Sequence, residues 1–152
     1  MSQKFNQNPD EEFHVLNDPM IGYASLDDSR LHQLLSKSRV GIPYEAFQSF
    51  LKRLAFTFQD WSSFLHVSER TLQRYGQSNK AFNAPHSERI LQILMIEKLG
   101  IEVFGTSLQF HAWLNAKNIA LGGVNPKSLL NNTFGIEAVK NELGRIQYGV
   151  LA

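Results

Sequence analysis

The 152-residue chain contains no cysteine, which excludes structural disulfides, thiolate zinc sites and cysteine nucleophiles together. Long hydrophobic runs are missing as well. The densest, Ile90 to Ile96, is interrupted by Gln92 and falls far short of the roughly 20 residues that cross a bilayer. The opening residues, MSQKFNQNPDEEF, have neither the positive start nor the apolar stretch of a secretory signal. These absences predict a soluble, cytoplasmic protein. Charge of one sign is also scarce. The formal net charge is +1, so only the distribution of charge can point to nucleic acid. Residues 1–43 hold four Lys/Arg against six Asp/Glu, whereas residues 44–98 hold seven against five, and the weak positive excess therefore lies in the middle of the chain.

Signatures of catalysis are absent from the sequence too. His14, His32, His66, His86 and His111 show no HExxH spacing, and there is no GxSxG, P-loop or GxGxxG pattern. Gly122-Gly123 precedes Asn125-Pro126 and Lys127-Ser128, but the glycine spacing is wrong for a phosphate cradle. His111 lies on an apolar helix face and reads as a satisfied core residue rather than a ligand. No enzymatic activity, metal or cofactor is expected.

What the chain does have is a 43% apolar composition with eleven Phe, two Trp and four Tyr, enough for a packed core. The spacing is helical throughout, with no convincing alternation of period two, so the fold class expected is all-α. The first 20 or so residues are polar and acidic and are expected to be loosely ordered. Ser25 and Asp28 resemble a capping box ahead of Leu31, Leu34 and Leu35, with Gly41 as the stop. Pro43 opens a helix to about Ala55, with Tyr44, Phe47, Leu51, Leu54 and Phe58 at spacings of three and four. Thr57 and Asp60 start another, burying Phe58, Trp61, Phe64 and Leu65. Pro85 to about Gly105 is apolar on nearly every face around Ile90–Ile96, as in a central helix, and Gly100 is a place for a bend or break. A helix over about Ser107–Asn115 is expected to carry Leu108, His111 and Leu114. After the turn-rich Ala120–Pro126 link, Asn125-Pro126 caps a short helix through Leu130. The last helix runs from about Ile136 to Tyr148, with a stripe of Ile136, Val139, Leu143 and Ile146, and Gly149 ends it.

The most informative stretch is WSSFLHVSERTLQRY, Trp61 to Tyr75. Two short helices that cross steeply need a small residue on the first, a tight turn, and an apolar lock on the second. Ser62 is that small residue, four positions before the turn at His66. Val67 and Leu72 flank the Ser68 cap as a hydrophobic staple. Leu72 and Tyr75 then face inward, leaving Arg70, Gln73, Arg74 and Gln77 on the opposite side. Guanidinium groups pair with guanine or phosphate and amides with adenine, so this face suits the major groove. With the helix-start residues Ser68, Glu69 and Thr71, these form the candidate DNA-binding set. The turn departs from the usual pattern, which has glycine where this chain has His66.

Four stretches carry a family resemblance: Gly41-Ile42-Pro43, VSERTLQR from Val67 to Arg74, EVFG from Glu102 to Gly105 leading to Trp113-Leu114, and LGGVNPKSLLNNTFGIEAVKNELGRIQYGVLA from Leu121 to Ala152. From Arg30 onward the chain resembles the Xre/MbcA/ParS antitoxins, whose partners commonly carry the RES fold of NAD-degrading toxins. The resemblance implies a helix-turn-helix that represses its own operon, a C-terminal domain that blocks the toxin, and assembly through dimers. With the polar composition of the N-terminus, it suggests a division into a flexible segment over 1–25, set by that composition, a helix-turn-helix domain over 26–105 and a toxin-binding domain over 106–152. In the last, Gly144 lets another backbone approach closely. The toxin-binding residues implied are Arg145, Tyr148, Gly149, Val150, Leu151 and Ala152, a cation followed by an uncharged tail ending in a carboxylate. The apolar stripe of the last helix reads first as this protein's own core, as such stripes usually are. A helix-turn-helix repressor with no toxin partner would carry the same DNA-reading segment and is the alternative.

Overall fold

A computed structural model describes Ser36 and residues 39–149. The N-terminal segment, the Ser25/Asp28 box, the Leu31, Leu34 and Leu35 stripe, and Val150, Leu151 and Ala152 lie outside the described residues. Among the described residues the fold is helical, with one isolated bridge between Asn118 and Val124. Ser36, Arg39 and Val40 have helical geometry, and the chain turns at Gly41 with φ +94. A Cβ there would stand 2.6 Å from the Phe82 carbonyl, so only glycine fits. The next residue clasps the chain farther on: Phe82 N–H donates to the Ile42 carbonyl at 2.9 Å, and Ile42 N–H donates to the buried Ser87 hydroxyl at 2.9 Å.

Helix α1 spans Tyr44–Arg53 and buries Tyr44, Phe47 and Phe50. The stripe expected from the sequence omits Phe50, which is fully buried, and includes Leu51 and Leu54, which are only half-buried. The helix is shorter than expected because Leu54 is already extended. Helix α2, Phe58–Leu65, starts on a capping box in which Thr57 and Asp60 satisfy each other's backbone N–H. Helix α3, Glu69–Ser78, follows, and helix α4, Ala84–Phe104, forms the spine of the molecule with Ile90, Leu91, Ile93, Leu94 and Ile96 buried.

Gly100 neither bends nor ends α4. The helix runs through it, because a Cβ at that position would lie 2.3 Å from the Phe110 ring. Glycine is there for close packing of the next helix, α5, Ser107–Asn115. On α5 it is Phe110, His111 and Leu114 that are buried, whereas Leu108 is 83% exposed. The inward stripe therefore includes Phe110 and excludes the expected Leu108. His111 is a core residue, as its setting predicted: its Nε2 lies 2.8 Å from the buried Glu97 carboxylate, whose other oxygen accepts from Ser107 at 3.2 Å.

Two 3-10 turns, Ile119–Leu121 and Pro126–Leu129, lead to helix α6, Thr133–Gln147. Asn125 caps the second turn through Ser128 N–H, and Pro126 occupies its first position. Helix α6 begins three residues earlier than the periodicity suggested, because Asn132 caps it through Gly135 N–H. Ile136, Val139 and Leu143 are buried against α4, while Ile146 is 39% exposed and leaves the stripe. The stripe is thus chiefly core. Gly149, at φ +65, follows the end of the helix.

Candidate functional site

The α2–α3 unit has the geometry required of a helix-turn-helix. His66 takes left-handed values, φ 54 and ψ 38, a conformation that costs a residue with a Cβ something that glycine avoids. The small Ser62 sits where it was needed. Its hydroxyl donates to the Val67 carbonyl across the turn, and its own carbonyl accepts from Val67 N–H at 3.2 Å. Ser68 then caps α3 by accepting from Thr71 N–H at 3.0 Å. Val67 packs on the core to which the fully buried Leu72 belongs, as the staple requires.

On the inner side of α3, Tyr75 stacks on Phe82 at 4.8 Å, and a Cβ on Gly76 would meet the Tyr44 ring at 2.8 Å. The helix is therefore pressed against α1 on one side only. Its other side presents Arg70, Gln73, Arg74 and Gln77, all exposed, with exposed Ser68 and Glu69 and half-buried Thr71 at its start. Among the described residues neither arginine has an ionic partner. Both guanidinium groups are thus available to phosphate or to base edges.

A second set of exposed groups lies at the other end of the chain. Arg145 is 3.5 Å from Glu142 with half of its side chain in solvent, a loose surface pair worth about 0–1 kcal/mol. Tyr148 is 80% exposed and Gly149 is exposed. Phe134, in the first turn of α6, is 90% exposed, and Ile119 is 94% exposed. Neither was singled out from the sequence, although Phe134 falls outside the 136/139/143 stripe and that offset was the available signal.

The two regions are joined rather than independent. Helix α4 runs beside both, Phe56 before α2 meets the His111 ring at 4.7 Å, and Arg89 of α4 donates to the Phe64 carbonyl at 3.3 Å. Lys127 reaches Asp60 at 3.3 Å, and the His66 ring bonds to the Asn131 carbonyl. Burial holds the His86 imidazole below its ordinary range, and any charge on nearby His66 adds to the effect.

Comparison with known families assigns both parts. Residues 23–95 match the antitoxin Xre-like helix-turn-helix domain, and residues 99–149 match the antitoxin Xre/MbcA/ParS C-terminal toxin-binding domain. The chain belongs to the Xre/MbcA/ParS antitoxin family. As a member of that family it is an antitoxin of a toxin–antitoxin system with a helix-turn-helix domain. Its relatives are distant along nearly full length. The "Antitoxin Xre" of Photorhabdus laumondii is 23% identical over 133 residues, covering 87% of this chain and 88% of that protein. The "Prs ADP-ribosylating antitoxin" of a Sphingobium species is 24% identical over 143 residues, covering 88% and 90%. In this antitoxin α4 passes from the DNA-binding match into the toxin-binding match without a break. No helix among the described residues is long and apolar enough to cross a membrane.

Proposed function

We propose that this antitoxin blocks a RES-type, NAD-degrading toxin through residues 106–152 and represses its own operon through residues 26–105, acting in the cytoplasm. The observation that carries the DNA half is the outer face of α3, where two guanidinium groups without an ionic partner among the described residues and two amides stand exposed at helical spacing beside a capped, stapled helix start. Arg70, Gln73, Arg74 and Gln77 enter the major groove, and Ser68, Glu69 and Thr71 approach the flanking backbone. One such unit covers a half-site, so the repressing form carries at least two, paired by the antitoxin itself or by the toxin.

For the toxin half, Arg145 releases its weak contact with Glu142 and forks onto a carboxylate of the toxin, while Tyr148 to Ala152 enter a concave site. No catalytic step is assigned to the antitoxin itself. The test is co-expression with the product of the adjacent open reading frame, followed by affinity purification. A stable complex with a RES-fold protein is the expected result. A neighbouring gene of another kind, with no co-purifying partner, would contradict the assignment of the toxin.

A further inference from the structure

Helix α6 has two faces. Ile136, Val139 and Leu143 bury one of them in this chain's own core. On the side opposite stand Phe134, Asn141, Arg145 and Tyr148, at spacings of seven, four and three, which keeps all four within about 40° of one line along the helix. Tyr148 still follows the helical register, because its N–H donates to the Gly144 carbonyl at 3.1 Å. All four residues are exposed. The two rings stand at opposite ends of the line, about 21 Å apart along the axis. Between them the face is low, with half-buried Ala138 beside Asn141, and Gly144 borders it one turn before Tyr148. Gly100 is pressed on Phe110 and Gly135 on the Leu129 carbonyl, whereas a Cβ on Gly144 would have nothing within 4 Å. Glycine inside a helix weakens it relative to alanine, and no neighbour among the described residues requires one here.

We propose that the outer face of α6 lies lengthwise in a groove of the toxin, with Phe134 and Tyr148 as anchors in apolar pockets at its two ends. The toxin is the occupant because the whole of α6 lies inside the match to the toxin-binding domain, residues 99–149, and because the face runs through Arg145 and Tyr148 into the tail read above as toxin contact. A single solvated ring is ordinary surface. Two rings and a guanidinium on one line, opposite a complete core stripe, make a second face for which this chain has no use of its own. Aromatic and arginine side chains dominate binding hot spots, and a helix seated in a groove offers its anchors along one face in this way. The low middle of the face and Gly144 let the groove wall come close to the helix backbone. This inference rests on the reading that residues 106–152 bind the toxin. It adds that the contact extends the full length of the helix, to a residue at the end far from the tail.

Titration of the full chain against the purified product of the adjacent open reading frame tests it, on the parent protein, Phe134→Ala, Gly144→Leu and Leu108→Ala. Leu108 is the control, an exposed apolar residue on α5 and off this face. Phe134→Ala and Gly144→Leu should each raise the Kd for the toxin at least about tenfold, whereas Leu108→Ala should stay within about twofold of the parent. Melting curves and operator gel shifts should be those of the parent for all three variants, since the substituted positions have room around them. A parent that captures toxin alongside a Phe134→Ala variant that binds it equally well would overturn the proposal and leave the tail contact and the antitoxin reading standing. An equal loss in Leu108→Ala would overturn it by showing that any exposed apolar group matters alike. Loss of self-association in Phe134→Ala, with toxin capture intact, would overturn it and assign the face to a second copy. A parent that captures no toxin would overturn both this proposal and the reading it rests on.

Discussion

The Nε2–H of His66, in the turn between the two DNA-binding helices, donates to the backbone carbonyl of Asn131, which lies just before the last helix of the toxin-binding domain. A residue that takes left-handed geometry at some cost is therefore also a strut between the two halves. Two substitutions separate these contributions. His66→Ala keeps the left-handed requirement and loses the hydrogen bond, and should destabilise the fold by about 1 kcal/mol. His66→Gly loses the same bond but relieves the backbone, so its melting temperature should stay close to that of the parent. Thermal melts of both variants, read by circular dichroism, check the ordering.

DNA binding should respond to the outer face of α3 alone. Arg70→Ala or Arg74→Ala is expected to weaken operator binding by about 1–3 kcal/mol where a bidentate base contact is lost, with relaxed specificity at that position. Where the lost contact is to phosphate, affinity should instead fall on every sequence and the salt dependence should become shallower. Gel shifts at two salt concentrations distinguish these outcomes, and parent-like binding by both variants would remove α3 as the reading helix.

The buried carboxylate of α4 depends on its partner. Glu97 is 2% exposed and is held by His111 and Ser107. His111→Ala removes the shorter of the two hydrogen bonds to Glu97 and should cost about 1–3 kcal/mol, the penalty of an under-satisfied buried acceptor. The shift of the urea midpoint, at unchanged slope, measures it. A loss below about 1 kcal/mol would mean that water replaces the imidazole.

Acid should destabilise the fold through His86. Partial burial, with a smaller contribution from nearby His66, holds its half-buried ring below the ordinary histidine value of 6.5, against a backbone hydrogen bond to Leu65. A depressed folded value means that the unfolded chain binds more protons once pH falls past 6.5. Stability is thus complete above that point and declines as pH drops toward the folded value. Melting curves between about pH 7.5 and 5.5 should show this decline, and His86→Gln should flatten it.

Much of the fold is local and could be read directly. The Thr57/Asp60 box, the Ser68 and Asn125 caps and the stop at Gly149 depend on neighbours within a few residues, and each appears where its chemistry put it. The misreadings share one physical cause, which is that contacts between distant segments do not show in spacing. Gly100 looked like a breaker because the Phe110 ring packed on it is ten residues away, and Leu108 looked buried because its period matched Leu114. Glu97 was invisible as a core residue until His111 stood beside it. At the candidate site, the outward direction of Arg70, Gln73, Arg74 and Gln77 followed from the inward Leu72 and Tyr75. The struts from Asp60 to Lys127 and from His66 to Asn131 did not, since each joins residues more than sixty positions apart.

The most direct test of two separable surfaces is growth of cells expressing the toxin alongside one of three antitoxins: full length, the Arg70→Ala/Arg74→Ala double variant, and a form lacking Tyr148 to Ala152. Because Tyr148 and Gly149, where the deletion starts, are exposed, the truncation should cost much less than the roughly 2–5 kcal/mol of a buried large-to-small substitution, so the truncated protein should melt like the parent and still shift operator DNA. Separation of the surfaces predicts growth with the first two and arrest with the third. Rescue by the truncated form would contradict it and move the inhibitory contact to the Leu129-Leu130 turn and the Gly122-Gly123 link. Failure of the arginine variant to rescue, with its fold intact, would show that the two surfaces are one.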